Sequence, residues 1–400
     1  MAFNMTVGSP FHARTAKLNH KLAWEDWQGT FAASVYADFH DIEYNAIREA
    51  VAAIDVSPLF KYRVAGPDAE RLVDRIITRD ATKIRVDQVV YTSWCDERGK
   101  VTDDGTITRL DETTFRWTAA EPSLRWLELN AVGLDVSIED VTEELAALAL
   151  QGPRSRELLE AVTREDWSDV GYFYRRPTSV GKTRIDVTRT GYTGDLGYEL
   201  WIPSKHAVKV WDALFKEGEP FGLRPVGMRG MDVARVEAGL ILIDAEYTGS
   251  RWAMSAEQEY SPFELGLGRL VNLKKADFVG KRALVAEQAR GGPPRRLVGL
   301  AYDWSGIEKA FAAHGLPPTL LPETTSERTP LHAGRRHVGR VTSRTWSPML
   351  KRVIALASVG KEHAEPGTKL QAEWDVEGHR HKVAAEVVDL PFLDLPRKRS

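Results

Sequence analysis

The chain of 400 residues carries a formal charge of −3, with 43% hydrophobic and 28% charged residues. That length exceeds one ordinary core and predicts two or three domains of a soluble, cytoplasmic protein, while the near-neutral charge gives no electrostatic reason for a nucleic-acid or membrane partner. The single Cys95 excludes an internal disulfide and any Cys-clustered zinc site.

In chain order, the start "MAFNMTVGSPFHART" has no basic region followed by an apolar core, and no run of about 18 apolar residues follows to span a bilayer. "VAGPDAERLV" (Val64–Val73) reads as an apolar strand end, a Gly-Pro corner and a helix. "LQGPRSRELL" (Leu150–Leu159) repeats that unit, and Pro67 and Pro153 suit a first helical turn. Two copies imply a pseudo-duplicated α+β region. Between them, residues 88–119 alternate apolar and polar residues around turns at Glu97–Gly99 and Asp111–Thr113, which predicts a meander. "TRIDVTR" and "YELWIP" flank a glycine-rich loop as a second hairpin, and "PVGMRGMDVARVEAGL" predicts a helix from near Pro225 to Gly239. "ARGGPPRRL" is the clearest linker. We therefore expect a region 1–288, a linker 289–296 and a small all-β domain 297–400, whose strands include "LVGLAYDW", "RHVGRVTSR", "VIALASV" and "KVAAEVVDL". The basic tail "PRKRS" reads as a solvated end.

Chemistry concentrates in "RTGYTGDLGYELW", Arg189–Trp201. Strand periodicity places Tyr198, Leu200 and Ile202 on one face and Glu199 with Trp201 on the other. The glycines of the loop would let a ligand approach the backbone, with Tyr192 and Trp201 as aromatic contacts. An ionised carboxylate accepts two hydrogen bonds and donates none, so Glu199 matches a guanidine-like edge such as that of a pterin or guanine. The alternative is an acid facing solvent. Arg235 falls in an apolar helical stripe with Met228, Met231 and Ala238, and a buried guanidinium needs a partner. Asp232, one turn away, is the ordinary one; a site acid or ligand carboxylate is the other. "KVTDDGTI" carries Asp103 and Asp104, of which a strand can direct at most one into a pocket. The chain lacks GxGxxG, GxxxxGK[ST] and GxSxG patterns. Only "HRH" (His379–His381) offers any metal-like spacing, and no metal site is expected.

Taken together, "DVSPLFKYRVAGPDA", "YTSWCDERGKVTDDG", "LALQGPRS", "RTGYTGDLGYEL", "ARVEAGL", "YSPFELGLGRLV", "FVGKRAL" and "VTSRTWSPML" resemble the glycine-cleavage T-protein (aminomethyltransferase) family. The resemblance spans nearly the whole chain. It implies an α+β fold with a C-terminal β-barrel and a tetrahydrofolate-dependent one-carbon transferase. It further implies that Glu199 binds the pterin edge, that Arg235 lies in the cofactor region, and that Asp104, rather than Asp103, sits by the folate nitrogens. Family members usually read "DVSHMG" where this chain has "DVSPLF" (Asp55–Phe60), and here "ILIDAEYTGSRWAMSAEQEYSPFE" (Ile241–Glu264) is inserted after "ARVEAGL". Tyr247, Trp252 and Tyr260 in that insertion would remodel the site mouth, with Tyr247 as a substrate-side acid. These departures lean toward a branch that demethylates small molecules such as methoxyaromatics, sulfonium compounds or methylamines. The alternatives are an aminomethyltransferase that needs a lipoylated carrier protein, and a non-catalytic folate-binding protein.

Overall fold

The computed structural model describes residues 5–400, so the reading of Met1–Asn4 lies outside the described residues. The chain packs as two units. The first holds residues up to Thr92, Asp103–Met231 and Leu395–Ser400; the second holds Ser93–Thr102 and Asp232–Asp394. The expected linker 289–296 therefore falls inside the second unit.

The first unit holds three sheets, the smallest pairing Val7–Gly8, Thr30–Ala33 and Trp24–Trp27, and the other two position the site. The larger has the strand order Arg175–Val180, Thr183–Thr188, Gly197–Pro203, Leu145–Gln151, Val51–Asp55, Leu223–Pro225. All its pairs are antiparallel except the last, where Leu223 lies opposite Val51 in parallel register. Its apolar face carries Leu148, Leu150, Tyr198, Leu200 and Ile202 into a core shared with Leu158, Leu159, Val210 and Trp211. The other sheet has the order Val89–Cys95, Val101–Arg109, Thr114–Ala119, Phe60–Ala65, Ser137–Asp140 and contains the expected meander.

Both repeated corners form. Strand Phe60–Ala65 leads to helix Ala69–Ile76, and strand Leu145–Gln151 leads to helix Ser155–Thr163. Each helix starts two residues beyond its proline, so Pro67 and Pro153 stiffen the corner instead of occupying the first turn. Gly152 is required there: its φ is +121°, and a Cβ would meet the Ala50 carbonyl at 2.5 Å.

The second unit contains a closed six-stranded barrel in the order Arg295–Tyr302, Arg352–Gly360, Arg336–Ser347, Pro330–Ala333, Lys369–Val376, His379–Val388. The sequence reading had identified four of these six strands. Closure leaves no open edge, which suits a small all-β domain. The predicted helix around Arg235 spans Met228–Glu237, because Pro225 ends a strand paired to Val51–Asp55 instead of opening the helix.

Candidate active site

Glu199 emerges on the face opposite the core, as strand periodicity required. Its Oε2 accepts hydrogen bonds from Thr190 Oγ1 at 2.5 Å and, more weakly, from Thr188 Oγ1 at 3.5 Å. Oε1 takes none from the described residues. The side chain stays partly accessible, yet burial raises its proton affinity above the usual carboxylate range against the opposing pull of Thr190, Arg116 and Thr188. The carboxylate is thus desolvated without being closed off from solvent. Trp201 shares that face, and its Nε1 donates to Thr188 Oγ1 at 3.0 Å.

The glycines of the adjoining loop serve a different purpose from the expected one. A Cβ on Gly191 or Gly197 would lie 2.0 or 2.2 Å from Gln151 Oε1. These glycines admit the Gln151 side chain, whose Nε2 donates to the Thr190 and Tyr198 carbonyls at 3.2 and 3.3 Å. Close backbone approach is thus made to a protein amide, which braces the loop that presents Thr190.

The paired aspartates separate as strand neighbours must. Asp103 is fully buried and accepts from the Glu121 and Asp104 backbone N–H groups at 3.0 and 2.8 Å. Burial, and then the Asp104 charge, push its carboxyl well above the usual range. Asp104 remains partly accessible and accepts from the Tyr91 hydroxyl at 2.7 Å. Burial and the Asp104 charge raise the Tyr91 phenol in turn, so it stays protonated as a donor. Tyr192 lies close enough to act electrostatically on Tyr91. One loop therefore serves both acids, with Thr190 on Glu199 and Tyr192 beside the Tyr91–Asp104 pair.

Register explains how these groups share a surface. Thr106 and Thr108 lie opposite Thr118 and Arg116, so Asp104, Thr106, Thr108, Thr118 and Arg116 occupy one face of the smaller sheet. On the larger sheet, Asp186 and Thr188 lie opposite Trp201 and Glu199. Arg116 joins the two faces through Asp186 and Trp201. Thr108 stands roughly 13 Å along its strand from Asp104. Tyr91, Arg116 and Thr190 were missed by the sequence reading. Alternation alone marked Tyr91 and Arg116 as strand residues, and only pairing across sheets reveals their partners.

Arg235 and Tyr247 belong to the second unit. Arg235 is fully buried and takes the ordinary partner anticipated for it together with an unanticipated one: Nε donates to Asp232 at 2.5 Å and Nη1 to Glu246 at 2.7 Å, while Nη2 donates to Ser343 Oγ at 2.9 Å. Glu246 comes from the insertion and also accepts from Thr342 Oγ1, Ser343 Oγ and the Leu242 N–H. The insertion thus supplies a buried counter-ion. Its aromatics diverge: Tyr247 is fully buried, Tyr260 packs under Arg295 with ring and guanidinium 4.1 Å apart, and Trp252 is 61% exposed. Arg235→Met is expected to strand the buried Glu246 and destabilise the fold by about 3–5 kcal/mol. Urea unfolding checks this, and adding Glu246→Met should recover part of the loss.

Comparison with known proteins fixes the family. Residues 11–275 match the GCVT N-terminal domain, and residues 295–394 match the glycine cleavage T-protein C-terminal barrel domain. The chain therefore belongs to the glycine cleavage T-protein family. It is 34% identical, over 99% of its length, to a trimethylamine-oxide aldolase of Ruegeria pomeroyi, of which it spans 48%. It is 36% identical to an aminomethyltransferase of Saccharopolyspora erythraea, with 88% of this chain and 89% of that protein covered. An aminomethyltransferase of Caldanaerobacter subterraneus shares 32% identity over 82% of each chain. The crystal structure of glycine cleavage system aminomethyltransferase T from Bartonella henselae superposes with a TM-score of 0.81 at 23% identity, covering 97% of this chain and 98% of that one, which establishes the shared fold. Among the described residues, no helix is long and apolar enough to cross a membrane.

Proposed function

We propose that the chain is a tetrahydrofolate-dependent one-carbon transferase acting on a small methylated donor, with methylated amines and their oxides foremost among methoxyaromatics, sulfonium compounds and amines. The observation that carries this reading is Glu199, desolvated, with one oxygen held by Thr190 and the other taking no hydrogen bond from the described residues, joined through a single loop to the Tyr91–Asp104 pair. The second oxygen and the desolvated setting fit a pterin edge, which presents adjacent N–H donors to a carboxylate.

Tetrahydrofolate, when bound, supplies N5 as the nucleophile for the one-carbon unit. Glu199 fixes the ring edge, Thr190 orients Glu199, and Trp201 and Tyr192 offer aromatic surface. Asp104, directed by the Tyr91 hydroxyl, holds or accepts a proton where positive charge develops. The family resemblance assigns Arg235 to the cofactor region, and Tyr247 is the candidate proton donor to the departing group. The similarity to the trimethylamine-oxide aldolase over 99% of this chain supports an amine-derived donor. A second reading, transfer of an aminomethyl group from a lipoylated carrier protein, is supported by the relatives named aminomethyltransferase.

The test identifies the folate product by mass spectrometry. Protein and tetrahydrofolate are incubated with pooled methylated amines, amine oxides, sulfonium compounds and methoxyaromatics, and separately with aminomethylated lipoyl carrier. A one-carbon folate from the pool, with one donor consumed, is the expected result. Product from the carrier alone establishes the second reading, and product from neither overturns both. In the same assay Tyr247→Phe is expected to lose turnover but keep folate binding; full activity removes Tyr247 from the mechanism.

A further inference from the structure

The two polar sheet faces meet at an arginine that is 4% exposed. Arg116 Nη1 donates to Asp186 at 3.2 Å, and the guanidinium lies 4.2 Å from the Trp201 ring centroid. Nε and Nη2 are buried and have no hydrogen-bond partner among the described residues. Asp186 is shared, because Arg175 Nη2 also donates to it at 2.8 Å while Arg175 Nη1 holds Asp87 at 2.5 Å. A buried cation compensated only in part is costly unless another negative charge lies within its field.

Glu199 is that charge. Trp201 stands two residues beyond Glu199 on the same face, and Thr188, which takes the Trp201 indole N–H, lies directly opposite Glu199. The Arg116 charge favours the ionised form of Glu199 against the burial that disfavours it. Burial draws the Arg116 guanidinium down to about 10, still high enough to remain charged at neutral pH. The other charged groups facing Arg116 are Asp186 and Arg175 from the larger sheet and Lys61 from the neighbouring strand. The Lys61 amine is engaged by the Ser57 and Leu59 carbonyls, each at 2.7 Å. Arg63, opposite Arg116 in register, pairs with Glu139.

We propose that Arg116 is a positioning residue for the pterin subsite: it fixes the Trp201 indole and supplies the positive charge that keeps Glu199 an acceptor-only carboxylate. This rests on the folate reading above, and the experiment separates the two. Tetrahydrofolate affinity is measured by anaerobic calorimetry across the acid-to-alkaline range for the wild type, Arg116→Gln, Arg116→Met and Arg116→Lys. The wild type is expected to lose affinity as pH falls and Glu199 takes up a proton. In Arg116→Gln and Arg116→Met that loss should set in about one to three pH units higher, whereas Arg116→Lys, which keeps the charge, should stay near the wild type. The Glu199 carboxylate infrared band, assigned by its loss in Glu199→Gln, follows the same titration without ligand. An unmoved titration in a folded neutral variant overturns the role of Arg116, and Arg116→Gln decides if Arg116→Met does not fold. A displaced infrared titration in a protein that binds no tetrahydrofolate upholds the Arg116–Glu199 coupling and overturns the folate reading.

Discussion

Glu199→Gln is expected to weaken tetrahydrofolate binding by roughly 10- to 150-fold, the equivalent of about 1.5–3 kcal/mol for a charge-assisted contact shielded from water. The amide replaces one of two acceptor oxygens with a donor, which opposes the N–H groups of the pterin edge. The stability effect has the opposite sign. Burial raises the folded-state proton affinity of Glu199 above its unfolded value. Its contribution to stability is therefore full below the unfolded pKa and is lost as pH rises through the folded one. Above neutrality, the ligand-free variant should be at least as stable as the wild type. Calorimetric titration paired with thermal unfolding reads both effects. Unchanged affinity would remove Glu199 from the site, and a large loss of stability would make its role structural.

Asp104→Asn should slow one-carbon transfer by roughly 10²- to 10⁴-fold, the range for a positioned acid–base group, with little change in folate affinity. Single-turnover rates and equilibrium binding separate these quantities. Asp103→Asn is the informative contrast. Asp103 anchors two backbone N–H groups through its two oxygens, and an amide can accept only one of them. That variant should lose stability first, with activity falling in proportion to the folded fraction. Equal rate losses at both positions without unfolding would contradict the division of roles.

Much of the site was legible because it depends on short-range geometry. Alternation along Gly197–Pro203 placed Glu199 and Trp201 together, and the same rule separated Asp103 from Asp104. The i, i+3 spacing on a helix correctly offered Asp232 to Arg235. Assigning Asp104 to the folate side came from family resemblance; its strand geometry alone allowed either aspartate. The glycine loop was misread because the group that crowds it, Gln151, arrives from a strand far earlier in the chain. Strand and turn propensities likewise identified four barrel strands and missed two, since closure depends on pairing between distant segments.

The amino-acid sequence by itself determined the repeated strand–corner–helix units, the meander, the β-rich ending and the face on which each candidate acid lies, because these follow from backbone sterics and periods of 2 and 3.6 residues. Tertiary structure alone decided which distant partners the buried charges meet. Arg116 finds Asp186 70 residues away, and Arg235 finds Ser343 108 residues away. A buried charge is tolerable only beside such partners, and no local rule of sequence states which strands will bring them there.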